Sequence, residues 1–159
     1  MGRRILVSML LLAIALAAAC SRGPVRRISE PAASIQQLTV QADGSWSLSL
    51  RLQNDSSIPM RFDAVDVEVT VGGQPAGTLR HRPALEVGPE SADVVDVDMQ
   101  PEAGARMLLA DALAAGRGGD YALDGTIEAG PADRGSSRSY EVERKSALSP
   151  APGLPGVLR

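Results

Sequence analysis

The side chains able to do chemistry are few, and their spacing decides what they can do. The chain of 159 residues holds one cysteine, Cys20, and one histidine, His81. A thiol nucleophile needs an activating base or a positive surrounding. A Ser–His–Asp triad needs a buried, oriented imidazole, and a zinc site needs several converging ligands. His81 stands between Arg80 and Arg82 and close to Pro83, the setting of a solvated strand end or loop. Carboxylates are plentiful. Asp66 and Glu68, and again Asp96 and Asp98, alternate with valines, which places them on the outer faces of two strands. If those strands are neighbours, the face is acidic. With Asp63 and Asp93 they are the carboxylates on which a metal site here would have to draw. Calcium needs about six to eight oxygens converging within a loop, and alternate residues on a flat strand do not converge. They read as a hydrated, solubilising face. The glycines of residues 116–119 are followed by Asp120, with no Lys-Ser or Lys-Thr to make a phosphate loop. The expectation is no catalytic, metal or cofactor-binding residue, no small-molecule substrate and no enzymatic activity.

Cys20 has a different setting. Arg3 and Arg4 precede an apolar run over residues 5–16, broken only by Ser8, and Ala17, Ala18 and Ala19 lead directly to Cys20. A basic start, an apolar stretch and small residues before a cut site make a secretory signal. The run falls short of the roughly 20 residues that cross a bilayer. A cysteine directly after the small residues resembles the lipobox of bacterial lipoproteins, with Ala17 where leucine is usual. That resemblance implies cleavage between Ala19 and Cys20, a diacylglyceryl group on the Cys20 thiol and an acyl chain such as palmitate on the new amino terminus. Several acyl chains on one residue anchor durably, at about 0.8 kcal/mol per buried methylene. By resemblance to the sorting rule of enterobacterial lipoproteins, Ser21 in place of Asp implies the outer membrane, facing the periplasm of the bacterial envelope. The Asn54-Asp55-Ser56 sequon is then set aside.

Removing residues 1–19 leaves 140 residues, enough for one domain with a core. The leader takes only two basic residues with it, so the mature chain keeps 14 basic and 19 acidic residues, a net charge near −5. Nucleic-acid binding needs a basic stripe, which is missing. Only Trp46, Phe62, Tyr121 and Tyr140 are aromatic. The core must therefore be built from Val, Leu, Ile and Ala, and stacking platforms for sugars or single strands are disfavoured.

Residues 20–33, with Gly23, Pro24 and Pro31 among scattered charges, read as the lipidated cysteine and its tether; Arg22, Arg26 and Arg27 read as solvated linker arginines. From residue 34 the period becomes two. Ile35, Leu38 and Val40 precede an Ala42-Asp43-Gly44 turn. Trp46, Leu48, Leu50 and Leu52 then alternate with Ser, Arg and Gln, so that Trp46 belongs to a buried face. Residues 54–59 make a turn. Val65, Val67, Val69 and Val71 follow, closed by Gly72-Gly73, with a weaker strand over residues 75–79. Residues 86–90 read as a turn before Val95, Val97 and Met99. Pro101 and Glu102 suit the first turn of one helix carrying Leu109 and Leu113, with Gly116 at its C-cap. Tyr121 to Ile127 and residues 138–145 supply two further strands. Residues 146–159, rich in Pro and Gly, read as an irregular tail packed by Leu148, Leu154 and Leu158. The expected fold is an all-β, immunoglobulin- or fibronectin-III-like sandwich of about seven strands with one short helix.

This order resembles the late embryogenesis abundant type 2 family, also called the water-stress and hypersensitive-response domain. The segments carrying the resemblance are WSLSLRLQNDSSIPMRFDAVDVEVTVGGQPAGTL, LEVGPESADVVDVDMQ and LLADALAAGRGGDYALDGTIEAG. It covers roughly residues 34–145, with Asn54 and Pro59 at the family's Asn and Pro positions. The family has no catalytic residue to carry over. The residues themselves assign both a structural part: Asn54 satisfies local backbone groups where a strand ends, and Pro59 stops strand pairing. The resemblance implies a role in tolerance of water stress or desiccation. The alternative is an envelope scaffold or binding module that captures a protein or lipid partner. Either way the expected contacts are the membrane, through Cys20, and envelope protein clients.

Overall fold

The structure, a computed structural model, describes residues 26–133 and 135–159. Among these, nine strands and one helix follow the order β1 (Ala32–Val40), β2 (Trp46–Asn54), β3 (Met60–Val71), β4 (Gln74–His81), β5 (Leu85–Val87), β6 (Ser91–Met99), α1 (Ala103–Ala114), β7 (Gly119–Pro131), β8 (Arg138–Leu148) and β9 (Val157–Leu158). They form two antiparallel sheets, ordered β6-β2-β1-β9 and β4-β3-β7-β8, with β5 on β3. The chain thus forms the expected all-β sandwich.

Strict alternation explains β2. Trp46, Leu48, Leu50 and Leu52 are fully buried, and the facing sheet meets them with Phe62, Val65, Val67, Val69, Leu123 and Ile127. Burying each such side chain contributes about 1.5–3 kcal/mol. Two neighbouring strands break the alternation and still keep an apolar face. In β1, Ile35 pairs with Leu50 and Gln37 with Ser49, leaving Gln36 as an extra residue. In β3, Phe62 pairs with Ala129 and Ala64 with Glu128, leaving Asp63 extra. Each bulge turns the strand over once, so that Ile35 and Leu38, and Phe62 and Val65, point inward although three positions apart. The Ile35 N–H donates to the Tyr121 hydroxyl at 3.1 Å, tying the sheets together.

The helix closes one end. Glu102 is its N-cap residue, with extended φ and ψ, and α1 begins only at Ala103. The Glu102 N–H donates to the Ala76 carbonyl of β4 at 2.9 Å, which ties the helix start to that strand. At the other end Gly116 has φ +64°. Its N–H bonds to Leu113 O at 3.0 Å while Arg117 N–H bonds to Ala112 O at 2.8 Å, a Schellman closure. Ala105, Leu109 and Ala112 are buried. Leu108 packs on the Gly72-Gly73 turn so closely that a Cβ at Gly72 would lie 2.5 Å from it.

Three segments differ from the sequence expectation. Glu86 and Val87, read as the start of a turn, join Leu85 in pairing with Met60 to Phe62 as β5. The tail is not irregular throughout: β8 runs on to Leu148, and Leu158 and Val157 pair with Leu38 and Thr39 of β1. Leu148 and Leu158 are buried there, but Leu154 stays exposed. The span read as a tether, within its described part, is bound to the domain. β1 already begins at Ala32, and residues before it are hydrogen-bonded to three loops, through Asp133, Ser56 and Ser57, and Glu90.

Candidate functional surfaces

Ala19 and Cys20, the expected cleavage and acylation positions, lie outside the described residues. Among the described residues no helix is long and apolar enough to cross a membrane.

Asn54 is the last residue of β2 and 1% exposed. Its amide nitrogen donates to the carbonyls of Ile58 (2.8 Å), Gly88 (2.8 Å) and Val87 (3.1 Å), and its side-chain oxygen accepts from Ser56 N–H at 2.9 Å. One side chain thereby closes its own loop and pins the turn after β5. Ser56, also fully buried, accepts from Ser29 N–H at 3.0 Å. Pro59, half-buried, has no N–H to pair, and its carbonyl accepts from Ala132 N–H at 3.1 Å. These are joints between segments rather than ligand groups. Trp46 is fully buried at the start of β2, and its Nε1 has no hydrogen-bond partner among the described residues.

The Asp63 bulge carries a second joint. Arg61 Nε donates to the Asp63 carboxylate at 2.7 Å, and the Ser137 hydroxyl also donates to it. Arg61 first, and Ser137 after it, hold the Asp63 carboxyl below the usual carboxylate range; the same bond raises the Arg61 guanidinium. In the β1–β2 turn, Ser45 donates to Asp43 through its hydroxyl (2.6 Å) and backbone N–H (2.9 Å), which lowers that carboxyl too.

The four alternating carboxylates do not share a face. Asp66 and Glu68 lie on β3 and Asp96 and Asp98 on β6, in different sheets, so the single acidic face becomes two separate patches on opposite sides. The β6-β2-β1 side is rich in hydroxyl and amide groups: Ser34, Gln37, Thr39, Ser47, Ser49 and Gln53 stand beside Asp96 and Asp98, and Ser49 Oγ donates to Asp96 at 2.6 Å. The other side is more acidic than the sequence reading held. Glu68, Asp124 and Glu143 sit directly opposite one another on β3, β7 and β8, next to Asp66 and Glu141. Arg80 pairs with Asp66 at 2.9 Å and Lys145 with Glu143 at 3.1 Å.

His81 ends β4, opposite Val65. It borders a hollow of about 400 Å³ shared with Asp66, Arg80, Arg82, Thr126 and Glu128. Another hollow, of about 610 Å³, lies between the β1–β2 turn and the end of β6, lined by Asp43, Ser45, Asp98 and Met99 among others. Among the described residues no group of three His, Cys, Asp or Glu side chains is placed to hold a metal ion.

Sequence reasoning missed Arg27 and Ser29 as partners of Ser57 and Ser56 in the β2–β3 turn. The hydroxyl-rich run after Asn54 was the available signal, because Ser side chains in turns bond to backbone. It also missed Arg61, Asp63 and Ser137 as a joint, for which the Arg-Phe-Asp triplet carried only half the information.

The architecture and its joints now meet a family. A family model described as "Late embryogenesis abundant protein" matches residues 49–139. That is more than half of the chain, and the chain belongs to this family. Two solved structures are similar at low identity. One is a crystal structure of a protein from Archaeoglobus fulgidus, with TM-score 0.42, 12% identity, and coverage of 78% of this chain and 98% of that chain. The other is a solution structure of a protein from Arabidopsis thaliana, with TM-score 0.45, 11% identity, and coverage of 79% and 81%. Comparison with curated protein sequences yields no match.

Proposed function

We propose that this domain is a non-catalytic protective module of the bacterial envelope, held to the outer membrane by an acylated Cys20, which preserves neighbouring proteins when water is scarce. Family membership supports the reading. The observation that carries it is the hydroxyl, amide and carboxylate face of β6-β2-β1, backed by the sealed core row from Trp46 to Leu52. A rigid support keeps these groups spaced and available to water or to a client surface as bulk water is lost. The test is to dry a labile enzyme with residues 21–159, and in parallel with an equal mass of an unrelated acidic domain. Better recovery of activity with this chain supports the reading. Equal recovery sinks it.

A second reading has its own observation. β8 is an 11-residue strand that pairs, among the described residues, only with β7. Its outer backbone groups can accept an added strand, which suits an envelope scaffold. That reading requires one saturable partner in a crosslinked pull-down, reduced by a proline in the middle of β8.

A further inference from the structure

The described chain is bound to the domain from its first residue onward. Arg26 donates two hydrogen bonds to Asp133, at 2.8 and 3.1 Å. Arg27 and Ser57 bond in both directions, Arg27 N–H to Ser57 Oγ at 2.9 Å and Ser57 N–H to Arg27 O at 3.0 Å. The Arg27 guanidinium also reaches Glu90 and the Asp55 carbonyl, each at 3.0 Å. Ser29 completes the set through Ser56. These partners come from three different loops, after β2, before β6 and after β7, which all lie at one end of the sandwich. The helix and the Gly72-Gly73 turn lie at the other.

We propose that residues 26–31 are a strap that stands the sandwich end-on to the lipid bilayer, with the Ser57, Glu90 and Asp133 loops toward the headgroups and α1 away from them. This rests on the reading of Cys20 as the acylated anchor. Cys20 lies six residues before Arg26, so the leash between them can reach at most about 20 Å. The 12 residues of β3 extend over about 40 Å. The leash is therefore shorter than the domain is long, and the helix end cannot be the end that is held against the membrane. Charge disfavours lying flat. On the β4-β3-β7-β8 face Asp66, Glu68, Asp124, Glu141 and Glu143 outnumber Arg80 and Lys145, so an anionic leaflet repels it. On the β6-β2-β1 face Asp96 and Asp98 are balanced by Arg51 and Arg159, which leaves no net charge to draw that face down. At the strap the carboxylates of Asp133 and Glu90 are each paired with an arginine. Ile28, 46% exposed beside those arginines, is the kind of apolar side chain that settles at a headgroup boundary.

The test uses the full chain, produced in a bacterium that processes lipoproteins and reconstituted into phosphatidylethanolamine–phosphatidylglycerol vesicles with a headgroup-attached acceptor dye. A donor dye is placed on Ser136→Cys, at the strap end, or on Met107→Cys, on the exposed side of α1. Energy transfer from position 136 is expected to exceed that from position 107 by about twofold or more, given the strand length between them. Adding Arg26→Ala with Arg27→Ala should bring the ratio toward one, while backbone hydrogen exchange at positions 27 and 29 rises. Equal transfer from the two positions, in a chain whose intact mass shows an acylated Cys20, overturns the orientation. An unchanged ratio in the double variant overturns the strap's part in it. An intact mass without acyl groups on Cys20 overturns the anchoring reading and the orientation with it.

Discussion

Asn54 is the most connected polar side chain described, and its chemistry is that of a donor. Its amide nitrogen feeds three carbonyls. Asn54→Asp keeps the shape but puts an acceptor where a donor is needed. It should lower stability in urea unfolding by about 2–4 kcal/mol, since buried carbonyls lose their partners. Asn54→Ala should cost a similar amount. Asp63 gives the molecule an acid-side dependence. Its folded carboxyl is held below the ordinary value by Arg61 and Ser137, so its contribution is complete above the unfolded pKa of about 3.9. It is lost as pH falls through the lower folded value. Asp63→Asn should therefore be less stable than the parent at pH 7, with the two unfolding midpoints converging at the acid end of a titration. How much of this was legible differs by residue. That Asn54 ends a strand and serves the local backbone can be read from an Asn before a Ser-rich turn. Its bonds to residues 87 and 88 cannot, because nothing local to either segment announces the other. His81 at a strand end could be read from its Arg and Pro neighbours.

At the scale of elements, β2 is the simplest case. Leu50→Ala should cost about 2–5 kcal/mol as a large-to-small change at a fully buried position. Ser49→Ala, on the solvent side, should cost less than about 1 kcal/mol even with the loss of its bond to Asp96. Equal effects would contradict the assignment of faces. The row Glu68–Asp124–Glu143 opposes like charges across two strand pairs. Asp124→Thr should raise stability by about 0.2–1 kcal/mol at low salt, with the gain shrinking as salt is added. β2, β3, β7 and β8 were readable because alternation is a local signal. The bulges at Gln36 and Asp63 were not, since an extra residue is visible only against a partner strand. β5 and β9 were too short to show a period. The helix starts a residue or two later than the sequence placed it because Glu102 takes the extended N-cap conformation, with its N–H on the Ala76 carbonyl.

For the whole molecule, the separation of the carboxylates into two patches turns one functional test into two. Asp96→Lys with Asp98→Lys alters the hydroxyl-rich side, whereas Asp66→Lys with Glu68→Lys alters the opposite one. All four residues are exposed, so both pairs should leave the fold intact by circular dichroism. The β6 pair should reduce protection of a dried enzyme more than the β3 pair does, because its side carries the hydroxyl face invoked above. The reverse order would assign the protective surface to the β4-β3-β7-β8 side.

The sheet order also has a consequence in time. β3 lies against β7, with Val65 beside Ile127, and β1 is met by Val157. β1-β2, β3-β4 and β7-β8 are local hairpins, but β2-β6, β3-β7 and β1-β9 join distant strands, so the chain must close long loops before its core rewards it. Topologies of this kind fold in roughly milliseconds to seconds, against microseconds for small helical bundles. On the proposed reading, in which the precursor is threaded unfolded across a membrane, that delay is an asset. The same long-range pairing that makes the mature sandwich a single cooperative unit keeps the newborn chain slack enough to travel.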